Sequence, residues 1–222
     1  RYFLSSNAKT FIFLSTTELV DKSLEQVTEV STVNPMNPFL QSKYDAEQFI
    51  LKQNLPEGKR AIILRVAPLY GREVKSKLHD TFSYCKKFPW FYGALNAKHS
   101  FCNIDNLTEI VYQITENQSV ASGVYNVADD EAIGSIQFVN WMSEVLEKKT
   151  TIYKVPKGVL NLLAKLGNVF KWEFNTKKLF EKSHSRIVNC DKLKSELHLS
   201  KMPLDTEQAV LKTIEYYNSI KI

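Results

Sequence analysis

Three short stretches of the sequence place hydroxyl groups and cations where an α/β protein could use them for chemistry. Ser15-Thr16-Thr17 follows an apolar run, Lys43 comes one helical turn after Phe39, and residues 65–71 lead from a second apolar run into a turn. Hydroxyls at the carboxyl end of a strand project into the crevice where open α/β sheets bind ligands. Each stretch alone also fits an ordinary role: a strand exit, a solvated lysine and a Pro/Gly turn.

The elements that must position these residues follow the order strand, helix, strand. Residues 10–16 and 61–67 are apolar runs typical of buried parallel strands. Between them, Asn37 is expected to cap a helix whose first residue is Pro38. Four apolar residues of that helix recur at helical spacing: Phe39, Ala46, Phe49 and Ile50. A βαβ unit of this kind predicts a parallel sheet with a right-handed crossover.

Beyond this unit, shorter strands alternate with helices. Strands are predicted over three ranges: residues 99–104, 123–127 and 151–155. Four residues are expected to cap or open helices: Asp105, Ser135, Pro156 and Asp205. A soft boundary falls after Gly71, where tight alternation gives way to longer helices and loops. The chain is therefore predicted to be an α/β protein.

Glycine and cysteine usage excludes several kinds of site. The 222 residues include 7 glycines, and no two lie closer together than Gly158 and Gly167, so neither G-x-G-x-x-G nor a P-loop can be written. The three cysteines, Cys85, Cys102 and Cys190, lack C-x-x-C spacing. We therefore expect buried thiols in a reducing compartment rather than a disulfide framework or a metal site.

Charge and hydropathy favour neither nucleic acid nor a membrane as a partner. The net charge of +5 is spread along the chain without a block of lysine or arginine, so no nucleic-acid binding is expected. No apolar run approaches the roughly 18 residues of a membrane span. Residues 1–7 are too short and polar for a signal peptide, so a cytoplasmic location is predicted. The absence of an initiating Met indicates that this Met was removed or that upstream residues are missing.

In order and spacing, the three stretches resemble the extended short-chain dehydrogenase/reductase family, the NAD(P)-dependent nucleotide-sugar epimerases, dehydratases and 4-ketoreductases. In that family a strand ending in Ser-Ser/Thr precedes a helix bearing Y-x-x-x-K, and the next strand ends in L-R-x-x-x-V-Y-G. The segments here are Phe13–Thr16, Phe39–Lys43 and Leu64–Gly71. Later family signatures are matched by four further ranges: residues 100–107, 124–130, 155–156 and 189–197. The Val-Pro and Asp-Lys elements of this tail are most similar to the branch that serves bacterial surface-polysaccharide synthesis.

The resemblance implies the C-terminal part of a doubly wound, Rossmann-like parallel sheet joined to a smaller α/β substrate-binding region. Residues 1–71 would form the partial Rossmann-like region. Residues 72–222 would form the mixed α/β region that binds substrate, with interleaved Rossmann elements. The family's glycine fingerprint and first half-sheet have no counterpart in this sequence.

Catalytic and cofactor roles also follow from the resemblance. The family's tyrosine exchanges a proton with the sugar oxygen, its lysine lowers the pKa of that tyrosine and holds the nicotinamide ribose, and a Ser/Thr hydroxyl completes the relay. Thr16 and Lys43 would take the last two roles, and Lys43, Ala67 and Pro68 would contact NAD or NADP. Phe39 occupies the tyrosine position and has no proton to give.

A nucleotide-diphosphosugar is the substrate class that the resemblance implies, with Glu18 and His99 as candidate contacts. Glu18 follows the hydroxyl pair, where it could reach the sugar or remain a solvated loop carboxylate. His99 stands where an arginine often clamps the diphosphate, and a neutral imidazole forms no bidentate phosphate pair. Pro68 replaces an asparagine that contacts substrate in many epimerases.

Two explanations of these departures stay open. The chain is either a fragment of a longer nucleotide-sugar enzyme or a degenerate member that serves as a non-catalytic sugar-nucleotide-binding or oligomerisation module. Phe39 favours the second, since truncation does not change a residue inside a helix. We also expect the outer edge of the first strand to be covered by a second copy, by a missing N-terminal segment or by rearranged N-terminal residues.

Overall fold

A computed structural model describes residues 2–93, 97–154, 156–170, 176 and 183–220 of the chain. Its helices are α1 Tyr2–Ser5, α2 Pro38–Leu51, α3 Lys77–Lys87, α4 Ile104–Glu116, α5 Ser135–Val145, α6 Lys157–Val169, α7 Asp191–Glu196 and α8 Thr206–Ser219. Its strands are β1 Thr10–Thr16, β2 Gln26–Val27, β3 Arg60–Val66, β4 Leu69–Tyr70, β5 Trp90–Gly93, β6 Lys98–His99, β7 Cys102–Asn103, β8 Gly123–Val127, β9 Ile133–Gly134, β10 Thr151–Lys154 and β11 Ile187–Val188. A 3-10 turn, Thr17–Leu19, follows β1 directly.

The central sheet is parallel and has the order β1-β3-β8. Thr10–Thr16 lies opposite Arg60–Val66, and residues 62–66 of β3 pair with Gly123–Val127. The unit β1-α2-β3 is therefore the predicted βαβ unit, and the α/β class is confirmed. Because β8 comes from the second half of the chain and completes the same sheet, a division after residue 71 stays a prediction.

The middle strand β3 anchors the core. All seven of its residues are buried, as expected for a parallel strand covered on both faces. Ile62 and Leu64 pack in one cluster with Ile110 and Ile114 of α4. Burying each such side chain contributes roughly 1.5–3 kcal/mol.

Helix α2 begins as predicted but buries a different face. The Asn37 side chain caps the helix by accepting a hydrogen bond from the Leu40 N–H at 2.9 Å. The apolar spacing does not mark the packed side, because Phe39 and Phe49 are 62% and 61% exposed. The helix instead buries Glu47 completely, and an ion pair with a β3 arginine satisfies its charge.

A second hydrophobic cluster joins α3, α5 and α8. Its largest fully buried side chains are Tyr70, Phe82, Phe138, Met142, Ile214 and Tyr217. Short strand pairs surround it and the central sheet: β4 with β7, β5 with β10 and β2 with β11 are parallel, and β6 with β9 is antiparallel. The single strand predicted at residues 99–104 is therefore wrong in detail, because β6 and β7 are separate.

Helix starts differ from the predicted caps at two positions. Asn103, not Asp105, caps α4, and its side chain accepts a hydrogen bond from the Asp105 N–H at 2.9 Å. Helix α5 begins at Ser135, so Gly134 holds the cap position without a side-chain bond. The cap at Asp205 is confirmed. Val155, predicted to end a strand, lies outside the described residues.

Among the described residues, β1 is one of the two edge strands of the central sheet, and β8 is the other. Within the described ranges, β1 pairs only with β3, and Leu14 is 45% exposed.

None of the helices described here is long and apolar enough to cross a membrane.

Candidate functional site

Thr16 lies where β1 ends, at the carboxyl edge of the parallel sheet. Its backbone is still extended, and its Oγ1 accepts a hydrogen bond from the Glu18 N–H at 3.2 Å. The threonine thereby caps the 3-10 turn, a local role that a hydroxyl commonly takes at a helix start. The preceding Ser15 is 6% exposed, and its Oγ has no hydrogen-bond partner among the residues that the structure describes.

Lys43 reaches from α2 to the backbone of β1. Its Nζ donates a hydrogen bond to the Leu14 carbonyl oxygen at 2.9 Å. The same ammonium lies 5.0 Å from the ring centroid of Phe13 and 5.9 Å from that of Phe39, within cation–π range. The spacing of one helical turn therefore brings the aromatic ring at position 39 beside the lysine, as the Y-x-x-x-K comparison requires. The ring at this position carries no oxygen.

Backbone hydrogen bonds fix the exit of β3, where the sequence places Ala67 and Pro68. The Ala67 N–H donates to the Val127 carbonyl oxygen at 2.8 Å, and the Pro68 carbonyl oxygen accepts from the Cys102 N–H at 3.0 Å. These contacts hold the β3 exit between β8 and β7.

Tyr70 belongs to a buried polar network. Its hydroxyl donates to Asp129 Oδ2 at 2.6 Å, and the same carboxylate accepts from the Asn103 N–H and from Asn106 Nδ2. Burial and the neighbouring carboxylate raise the pKa of Tyr70 far above its ordinary value. Burial also raises the pKa of Asp129, against the effect of its three donors. A phenol held in this way stays protonated.

His99 lies in β6, half-buried among positive groups. It pairs with Ile133 across the antiparallel ladder and forms a parallel bridge with Arg186. Burial lowers the pKa of His99, and the charges of Lys77 and Arg186 lower it further. The lowered pKa favours the neutral imidazole at neutral pH. The two charged groups that shift this pKa are both cations, and no carboxylate is among them.

Arg186 is the residue of this region that sequence patterns missed. Its guanidinium donates to the carbonyl oxygens of Thr17, Val20 and Asp21 at 2.9–3.0 Å. Burial lowers the pKa of Arg186, while the carboxylates of Glu18 and Asp21 raise it. A lone arginine in a polar, lysine-rich stretch gives no motif, so only the three-dimensional structure reveals this contact.

Most of the predicted site residues fall into two groups. Glu18 and His99 lie near Arg186, whereas Lys43 and Phe39 lie together beside β1, which ends at Thr16. Ala67 and Pro68 belong to neither group and lie at the exit of β3. Within the ranges that the structure covers, no group of three or more His, Cys, Asp or Glu side chains could hold a metal ion.

Comparison with a family model and a curated protein shows what the chain is similar to. The model of the NAD dependent epimerase/dehydratase family matches residues 1–128, more than half of the chain. UDP-glucose 4-epimerase from Vibrio cholerae is 23% identical over 168 residues, which cover 73% of this chain and 51% of that protein. The chain therefore spans about half the length of this curated relative.

Solved structures share the fold at low sequence identity. UDP-glucuronic acid 4-epimerase from Bacillus cereus, in complex with NAD, has a TM-score of 0.72 at 15% identity, covering 98% of this chain and 64% of that one. UDP-glucose 4-epimerase from Thermotoga maritima, with UDP-glucose, has a TM-score of 0.68 at 16% identity, with coverages of 98% and 66%. RMD from Pseudomonas aeruginosa, complexed with NADPH, has a TM-score of 0.68 at 14% identity, with coverages of 95% and 67%. At these identities the likeness establishes the Rossmann-like fold alone.

Proposed function

Because the chain belongs to the NAD dependent epimerase/dehydratase family, we propose that it binds a nucleotide-diphosphosugar together with NAD or NADP. The matched curated relative is a UDP-glucose 4-epimerase, and solved structures of similar fold hold NAD, NADPH or UDP-glucose. The resemblance of the tail extends the proposal to polysaccharide biosynthesis in the cytoplasm. Epimerase, dehydratase and 4-ketoreductase chemistry all pass through, produce or consume a sugar ketone.

The nicotinamide end of the cofactor fits the residues beside β1. The Lys43 ammonium has three N–H donors, and its hydrogen bond to the Leu14 carbonyl oxygen uses one of them. The remaining donors suit ribose hydroxyls, and Thr16 lies two residues further along the same strand. NAD or NADP supplies the hydride acceptor or donor for the sugar carbon when it is bound. No closely spaced glycines are present for its pyrophosphate.

A diphosphate suits the positive region around His99. Lys77 begins α3, whose amino end attracts anions, and its charge together with that of Arg186 lowers the pKa of the imidazole. An anion placed among these groups would offset their mutual repulsion and favour protonated His99. We therefore propose that His99 contacts the diphosphate and that Glu18, in the middle of the turn that Thr16 caps, contacts the sugar.

Phe39 beside Lys43 is the observation that supports the catalytic part of the proposal. Oxidation of a sugar hydroxyl sends a hydride from carbon to the cofactor and a proton from oxygen to a base. The ring at position 39 has no lone pair to take that proton, and the Tyr70 phenol is held by Asp129. Loss of a positioned acid–base group typically costs about 10²–10⁴-fold in rate. We therefore propose that this protein binds its ligands but turns them over slowly.

A non-catalytic sugar-nucleotide-binding or oligomerisation module is the second candidate, and the same phenylalanine favours it. In the described part of the chain the outer edge of β1 has no strand partner, which supports an association role because exposed strand edges are usually covered. A second copy of the chain or another covering segment would satisfy this edge. Size-exclusion chromatography with light scattering over a range of concentrations tests self-association, and a monomer throughout removes the second copy as the cover.

Calorimetric titration with NAD⁺, NADH and UDP-glucose, followed by a turnover assay, tests the proposal. Binding of UDP-glucose and at least one cofactor form, with slow or absent conversion, is the expected result. Failure of both ligand classes to bind would remove the proposed function. Cofactor binding with rapid turnover would remove the non-catalytic candidate. His99→Ala should weaken binding of UDP-glucose more than binding of NAD⁺, since we assign His99 to the diphosphate of the sugar nucleotide.

A further inference from the structure

Arg186 connects two separate segments of the candidate site. Its backbone N–H donates to the Lys98 carbonyl oxygen at 2.8 Å, and its carbonyl oxygen accepts from the Ser100 N–H at 2.9 Å. These two bonds hold the Arg186 backbone beside His99, because His99 lies between Lys98 and Ser100 in the sequence. The side chain then extends to the turn that follows β1.

The guanidinium binds the end of that turn. It donates to the carbonyl oxygens of Thr17, Val20 and Asp21, and the Val20 N–H in turn donates to the Thr17 carbonyl oxygen. Carbonyl groups at the end of a short helix lack partners within it and carry partial negative charge. A planar guanidinium can satisfy several of them at once, which a lysine ammonium on a flexible stem does less well.

We propose that Arg186 is a positioning residue that holds the turn carrying Thr16 and Glu18 in register with the strand of His99. The inference rests on the proposed nucleotide-sugar site, but it assigns Arg186 no contact with the reacting atoms. The carboxylates of Glu18 and Asp21 face the guanidinium, so its charge is balanced on the side of the turn. Removing the side chain would free the turn and would also withdraw one of the two cations that act on His99.

Arg60 provides a matched control at the opposite end of the sheet. Its guanidinium also donates to three backbone carbonyl oxygens, those of Ile114, Asn117 and Val120, and to Thr10 Oγ1. It begins β3, whereas the candidate site lies where β1 and β3 end. Losing either arginine removes a similar set of bonds, and only one of the two sets touches the site.

The experiment compares Arg186→Met, Arg186→Lys and Arg60→Met in the whole protein. Three quantities are measured: the pKa of His99 by NMR titration, hydrogen exchange of the Val20 amide, and UDP-glucose affinity by calorimetry. We expect Arg186→Met to raise the pKa of His99, speed Val20 exchange at least tenfold and weaken UDP-glucose binding at least tenfold. Arg186→Lys keeps the charge, so the pKa of His99 should stay near the wild-type value while Val20 exchange rises less. Arg60→Met should lower thermal stability and leave the three local quantities near wild type.

Two results would overturn the inference. One is an Arg186→Met protein that folds with unchanged Val20 exchange, and the other is an equal change of all three quantities in Arg60→Met. If Arg186→Met does not fold, hydrogen exchange of the Val20 amide in Arg186→Lys decides instead. Unchanged exchange in that variant would overturn the inference. If wild-type protein fails to bind UDP-glucose, the proposed function fails, while the NMR titration and exchange still decide whether Arg186 holds the turn.

Discussion

The buried ion pair between Glu47 and Arg65 offers a quantitative test of how α2 is held above the sheet. The Glu47 side chain is 0% exposed and that of Arg65 is 5% exposed, and the guanidinium donates through Nε and Nη2 to the carboxylate, with the shortest bond at 2.7 Å. Arg65 also donates to the Glu29 carbonyl oxygen. The pair joins α2, which carries Lys43, to the strand that leads to the β3 exit.

Glu47→Leu should destabilise the protein strongly, because it leaves a buried guanidinium without its counter-charge. Breaking one side of a buried pair costs about 3–5 kcal/mol. At about 2–4 °C per kcal/mol for a chain of this size, the melting temperature should fall by about 6–20 °C. The measurement is thermal and urea unfolding of the wild type and the variant. Glu144→Leu, at an exposed position of α5, is the matched control and should change the melting temperature little.

The double variant Glu47→Leu with Arg65→Met separates the pair from the volume of its side chains. Replacing both charged groups by apolar ones of similar size is often neutral or stabilising, so the double variant should recover most of the loss. If Glu47→Leu alone costs less than 1 kcal/mol, or if the double variant costs the sum of the two single changes, the reasoning about this pair is refuted.

Two further changes follow from groups described above. The pKa of His99 is lowered in the folded protein, so below about pH 6.5 the unfolded chain binds more protons than the folded one. The free energy of unfolding should therefore decline as the pH falls from about 6.5 towards the lowered pKa of the folded protein. Urea unfolding at pH 7.5 and 5.5 should show a smaller decline in His99→Gln, and an equal decline would contradict the burial argument. Gly71→Ala should destabilise by about 1–3 kcal/mol, because Gly71 has φ +134° and an added Cβ would lie 2.6 Å from Ile104 Cγ2. Gly58→Ala, at φ +75° with open space around it, is the comparison that isolates the clash, and equal melting temperatures for the two variants would count against it.

Strand positions and the βαβ order could be predicted because buried parallel strands have continuous apolar runs in their sequence. Residues 61–67 contain such a run, and the structure places β3 at Arg60–Val66. The start of α2 could also be predicted, because Asn37 and Pro38 form a local capping signal that tertiary contacts do not override. These features depend on neighbours in sequence.

The packed face of α2 could not be predicted from its apolar spacing. Phe39 and Phe49 suggest one face, but a glutamate on another face finds an arginine 18 residues later and is buried with it. A charged residue is normally expected at the surface, and only the position of its partner in space reverses that expectation.

The candidate site was predictable where its residues follow strands and not where they come from distant segments. The places of Thr16 and Lys43 in the fold could be predicted because a strand exit and a helical turn mark them, while their roles stay predictions. Arg186 is separated from its Thr17 partner by 169 positions, and no periodicity connects the two. Tyr70 stood beside the site in sequence, but its hydroxyl is turned into a buried network with Asp129.

The rate of sugar conversion in Phe39→Tyr tests the central claim most directly. The wild type, Phe39→Tyr and Phe39→Leu would be assayed with UDP-glucose and NAD⁺ under identical conditions. The side chain at position 39 is 62% exposed and its ring lies beside Lys43, so a phenol oxygen can be accommodated and its pKa lowered. We predict that Phe39→Tyr raises the rate by about 10²–10⁴-fold over a slow wild type, and that Phe39→Leu does not. Wild-type conversion at an ordinary enzymatic rate of about 1–10³ s⁻¹, unchanged in Phe39→Leu, would contradict the account.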